Sequence, residues 1–113
     1  MKLRVIEKHE SNYPNPIEFN IGDILKLGTM DKEFEGWIRA ATKDGNEGWA
    51  PLDYIEIITN KSLGKAVCKY SAKELDVAPG QILEILKEHN GWVWCLAENG
   101  NYGWVPKKVG VIA

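Results

Sequence analysis

Four of the five tryptophans stand at repeated positions: Trp37, Trp49 and Pro51 recur as Trp92, Trp104 and Pro106 at a constant offset of 55 residues. Each of these tryptophans follows a glycine. On the strands that these residues imply, Ile38 and Ala40 alternate with Trp37 and Arg39, and Val93 and Cys95 alternate with Trp92 and Trp94, so one face is apolar in both copies. Trp37 and Trp92 lie on the other face, where a large apolar ring covers a neighbouring element or serves as a binding surface. The chemistry on offer is therefore recognition. No nucleophile, base and orienting residue recur together, and no phosphate-binding glycine loop is present. His9, His89, Cys68 and Cys95 form no metal-ligand pattern, and neither a cofactor nor catalysis is expected. Both histidines are expected to face solvent.

The elements that hold these rings are short strands. Lys43-Asp44-Gly45-Asn46 and Glu98-Asn99-Gly100-Asn101 each separate two apolar runs, a hairpin signal that suggests a type I′ turn with positive φ at both central residues. Upstream, Asp23-Ile24-Leu25-Lys26-Leu27 matches Gln81-Ile82-Leu83-Glu84-Ile85 after Gly22 and Gly80, placing Leu25, Leu27, Leu83 and Ile85 inward. Residues 3–6 and 65–68 supply an opening strand for each copy, and residues 55–58 and 109–112 a closing one. No helical apolar stripe appears. Five strands in about 55 residues, twice, define an all-β fold of two five-stranded small barrels. The expected division is residues 1–58, a linker at 59–63, and residues 64–113.

In that order and spacing the segments resemble the SH3 family in two tandem copies. The first carries Ile17 to Asp23, Gly36-Trp37 and Gly48 to Ile55; the second carries Ala66 to Tyr70, Leu75 to Gly80, Gly91-Trp92 and Gly103 to Pro106. With the Ser11 to Pro16 loop, they are similar to the variant SH3 domains of small free-standing bacterial proteins. The resemblance implies a groove in which a polyproline II segment slots between aromatic rings at little entropic cost. Carried over by position, the first copy keeps Trp37, Pro51 and Tyr54, but Lys8 stands where an opening tyrosine is expected, and Tyr13 is a substitute. The second keeps Tyr70, Trp92 and Pro106, while Cys68 and Val109 replace two tyrosines. Trp94 either extends the surface beside Trp92 or packs on the neighbouring barrel. Acidic residues that pair with a ligand arginine are sought among Glu10, Glu18, Glu33 and Glu35.

The implied partner is a protein or proline-rich peptide, bound mainly by the first copy. The alternative is a tandem scaffold whose grooves are mutually occupied. Nucleic acid is a third reading, against which the net charge of -2 argues. That charge divides as -4 over residues 1–58 and +2 over residues 59–113. No apolar run approaches the roughly 20 residues of a membrane helix. Charges in MKLRVIEKHE stand where a signal peptide would be apolar, so a cytoplasmic location is expected. Two separated cysteines suit reduced packing residues, with Cys95 in the core and Cys68 more exposed.

Overall fold

The computed structural model describes residues 1–11, 14–60 and 62–113. Twelve strands follow in chain order: β1 (Lys2–Val5), β2 (Glu18–Phe19), β3 (Ile24–Met30), β4 (Trp37–Ala41), β5 (Glu47–Pro51), β6 (Ile55–Thr59), β7 (Leu63–Ala66), β8 (Tyr70–Ser71), β9 (Ile82–His89), β10 (Trp92–Leu96), β11 (Tyr102–Pro106) and β12 (Gly110–Ile112). Single 3-10 turns at Leu52–Tyr54 and Lys107–Val109 precede the closing strands β6 and β12. The all-β architecture is as expected, with two five-stranded sheets of the SH3-like barrel type and one short two-stranded ladder.

Strand order reveals an exchange. One sheet runs β11-β10-β9-β1-β12 and the other β5-β4-β3-β7-β6, so each barrel receives its opening strand from the other repeat. The loops after these strands are exchanged as well, because Phe19 pairs with Tyr70 and His9 bridges to Val77. The compact units accordingly differ from the sequence repeats. A continuous unit spans residues 15–72, and a discontinuous unit joins residues 1–14 to 73–113.

The physical reason begins at the segment expected to be a linker. Ser62 N–H donates to Thr59 O (2.9 Å), Asn60 takes φ +44°, and Thr59 stands opposite Leu63. Thr59 and Leu63 thus face each other across a tight turn between β6 and β7. In this fold the closing and opening strands are antiparallel neighbours, so a tight turn after β6 delivers β7 into the opening-strand place of the same barrel. Closing so short a loop costs far less entropy than bringing β1 back across the intervening chain. β1 then completes the second sheet.

The two distal hairpins form where expected, but with a different turn. Gly45 N–H donates to Thr42 O (3.0 Å) and Gly100 N–H to Ala97 O (3.0 Å), with φ of +87° and +89° at the two glycines. Asp44 and Asn99 keep negative φ, which makes these type I turns followed by a glycine bulge rather than type I′. The Asp44 and Asn99 Oδ1 atoms accept from the N–H of Asn46 and Asn101, holding that geometry. Among the described residues, positive φ at both central residues of a hairpin turn is found at Asn90-Gly91, between His89 and Trp92.

Each barrel has its own core. In the discontinuous unit Leu3, Val5, Leu75, Val77, Leu83, Val93, Cys95, Val105 and Val109 pack together, with Ile85 at the margin. In the continuous unit Ile17, Phe19, Leu25, Ile38, Ala40, Ala50, Ile55 and Ala66 are buried, and Leu27 is half-buried. The inward alternation expected of Leu25/Leu27 and Leu83/Ile85 is present. Burial holds the Cys95 thiol protonated, pushing its pKa up to about 11.

Candidate functional site

The exchange redistributes the groove residues. Tyr70, assigned by sequence to the second copy, joins Trp37, Pro51 and Tyr54 in the continuous unit, while Trp92, Trp94 and Pro106 lie in the discontinuous one. By register Tyr70, opposite Phe19, is the counterpart of His9, opposite Val77, so the exchange brings the continuous unit a tyrosine ring that its own repeat lacks at that place. The Tyr70 ring lies 5.2 Å from Phe19 and 5.8 Å from Tyr54, the latter edge-on at 83°. Its hydroxyl donates to Trp49 O at 2.9 Å.

This set is not the open groove expected. Trp37 is 4% exposed and Tyr70 5%, and Pro51 is fully buried; Tyr54 is half-buried. Trp37 stands opposite Pro51 in the β4–β5 ladder, on the face that alternation assigns away from the core, and it is covered all the same. A ring of that size gains most of its hydrophobic stabilisation by leaving water, which outweighs the strand's binary pattern. Further along this ladder Arg39 faces Trp49, with its guanidinium 5.4 Å from the ring centroid and its Nε 3.1 Å from Glu47 Oε1. That end of the face carries paired charge.

The corresponding ladder of the discontinuous unit is aromatic instead. Trp92 stands opposite Pro106, Trp94 opposite Trp104, and Leu96 opposite Tyr102. Trp94 packs edge-on to Trp104 at 5.3 Å and stacks on Tyr102 at 6.4 Å with an interplanar angle of 16°. Trp104 is buried, with Lys87 Nζ 5.6 Å from its ring centroid, and Pro106 is buried beside it. Trp92 and Trp94 are half-buried, whereas Tyr102 is 46% exposed. Trp94 and Tyr102 replace Arg39 and Glu47 at the equivalent ladder positions, turning a charged end into a continuation of the ring surface.

At the Trp92 end sits a pair that residue types alone did not reveal. His9 Nε2 lies 2.8 Å from Glu74 Oε1, and the His9 ring meets Trp92 edge-on at 5.9 Å. His9 is half-buried, against the expectation that it faces solvent, because the loop carrying it is bridged to Val77 and brought against Glu74. Partners 65 residues apart leave no local signal.

Burial raises the Glu74 carboxyl above its ordinary range, and the His9 hydrogen bond and charge pull it partly back; Asp76 adds a smaller upward push. A carboxyl that holds its proton more tightly folded than unfolded stabilises the fold most at low pH. That contribution is lost as pH rises from the ordinary glutamate range through the raised folded value. Urea midpoints of the wild type, relative to Glu74→Gln, should therefore decline as pH rises above the ordinary glutamate range. A relative rise would mean that the pairing with His9 outweighs burial.

The acidic candidates are dispersed. Glu10 is exposed and paired with Lys8 (2.7 Å), whose ammonium the Glu10 hydrogen bond and charge push upward. Glu18 lies in the other unit, accepting from Ser71 Oγ at 3.3 Å, and Glu33 and Glu35 are exposed there too. Tyr13 lies outside the described residues. Among the described residues no group of three or more His, Cys, Asp or Glu is placed to hold a metal ion.

Two small all-β barrels with a tryptophan-proline strand pair and a 3-10 turn before the closing strand define the class of SH3-type interaction domains. The chain belongs to the variant SH3 domain family, whose model matches residues 2–58 and again 63–109. No curated protein and no solved structure matches the chain. Domains of the SH3 type are generally noncatalytic modules that bind proteins or peptides.

Proposed function

We propose that this chain is a noncatalytic protein-interaction module that takes an extended, apolar or proline-rich segment of a partner protein on the Trp92–Trp94–Tyr102 face. The observation that carries this reading is the Trp94–Tyr102 stack, at 6.4 Å, on the same ladder as the Trp92–Pro106 pair. Flat rings in series suit a polyproline II helix, whose preformed backbone pays little entropy on docking. The burial of Trp37, Pro51 and Tyr70 favours this face over the first-repeat groove, to which the residue types alone pointed.

The test is a titration of isotope-labelled protein with proline-rich peptides bearing arginine at either end. Saturable indole shifts at Trp92 and Trp94 are expected, and Trp94→Ala should weaken binding about tenfold, as loss of an aromatic anchor does. Shifts confined to Trp37 and Tyr54 would return the site to the first-repeat groove. No shift at about millimolar peptide, near -4 kcal/mol, would remove peptide recognition from this face.

A further inference from the structure

The two opening strands occupy equivalent places. β1 lies between β9 and β12, and β7 lies between β3 and β6. Register makes Leu3, opposite Leu83, the counterpart of Gly64, opposite Leu25; it also makes Val5, opposite Gly110, the counterpart of Ala66, opposite Ile55. One opening strand thus carries large inward residues and the other small ones. The closing strands carry the reverse, Gly110 in β12 and Ile55 in β6.

Space, not backbone conformation, explains the glycines. Gly110 has φ -147° and ψ 177°, extended backbone open to any residue, and Gly64 is not among the positive-φ glycines. A Cβ at Gly110 would stand 2.6 Å from Leu3 Cγ and 2.7 Å from the Arg4 carbonyl oxygen. One at Gly64 would stand 2.3 Å from Ile55 Cγ2. Each barrel therefore joins a large strand to a small one. Pairing within a repeat would set Leu3 and Val5 against Ile55, which is crowded, and Gly64 and Ala66 against Gly110, which is hollow. Both arrangements are destabilising, the first by overpacking and the second by a cavity.

We propose that the slot between β9 and β12 is a size-selective strand-binding site whose ligand is the chain's own N-terminal segment, recognised by Leu3 and Val5 above Gly110. The same rule excludes the Leu63–Ala66 strand from this slot and assigns it to Ile55. Exchange is then encoded twice, by the tight turn that sets Thr59 opposite Leu63 and by the volumes of residues in contact.

Double-mutant cycles on the full chain test the rule, with the unfolding equilibrium constant in urea as readout. Leu3→Ala and Gly110→Ala should be coupled by roughly tenfold, because truncation removes the Leu3 part of the clash with the new Cβ and leaves only the Arg4 carbonyl contact, whereas Leu3→Ala and Ile55→Ala should be additive. Absence of coupling to Gly110, or equal coupling to Ile55, would overturn the proposal. Cross-strand NOEs in the wild-type protein give a second readout that needs no variant. Arg4 should contact Val111, its partner in the β1–β12 ladder. Contact of Arg4 with Glu56, the residue that faces its counterpart Lys65 in the β6–β7 ladder, would overturn it too.

Discussion

Leu3→Ala is expected to destabilise the barrel that contains residues 73–113 and to spare the one that contains the rest of its own repeat. Leu3 has no exposed surface and stands opposite Leu83 on one side and Ile112 on the other. Truncating a leucine in such a site removes its transfer free energy and leaves a cavity, together about 2–5 kcal/mol. Against a typical total of roughly 5–15 kcal/mol, that loss is large. The measurement is urea unfolding followed at each tryptophan indole by NMR. Trp92, Trp94 and Trp104 should lose native dispersion at lower urea than Trp37 and Trp49. The reverse order would put Leu3 in the core of its own repeat.

The mirror-image experiment is Phe19→Ala, with an expected cost of about 3–5 kcal/mol. Among the described residues Phe19 is the largest of the fully buried side chains; it stands opposite Tyr70 in the β2–β8 ladder and packs on its ring at 5.2 Å. Removing it undermines Tyr70, and with it the edge-on contact to Tyr54 and the hydrogen bond to Trp49 O. Here Trp37 and Trp49 should report unfolding first. A change below about 1 kcal/mol, the scale of an ordinary surface substitution, would mean that Phe19 is not a core anchor. Together the two variants distinguish exchanged barrels from barrels closed within each repeat, since only exchange makes residue 3 and residue 19 act on different units.

Several features of the site were legible in the residues. The distal hairpins form in both repeats, setting Trp37 opposite Pro51 and Trp92 opposite Pro106, and Cys95 is core as strand alternation implies. Trp94 has no aromatic match in the first copy, but nothing in the sequence places Tyr102 in a stack with it. Alternation gives only the face of a strand, and their contact depends on the diagonal neighbour across the β10–β11 ladder. Trp37 shows the limit most plainly. Its face was read as opposite the core, yet the ring is covered, since solvent exposure depends on everything that packs on a residue and not on its own strand. Within the expected linker, Asn60 is itself a turn residue between two apolar runs, and it takes positive φ at the start of the β6–β7 turn.

The main strands, the two distal hairpins, the twofold repeat and the aromatic inventory were determined by the sequence by itself, because each rests on neighbours within a few residues or on a fixed offset. Tertiary structure alone decided which opening strand closes which barrel, and therefore that Tyr70 joins Tyr54 while His9 joins Trp92. The reason is that both opening strands are short, antiparallel-competent and apolar on one side, so local propensity is the same for either placement. What separates the placements is a turn that favours the nearer closing strand and the fit of Leu3 to Gly110 and of Gly64 to Ile55. The turn is local, but the fit of Leu3 to Gly110 joins residues at opposite ends of the chain, and its energy exists only when the chain is folded.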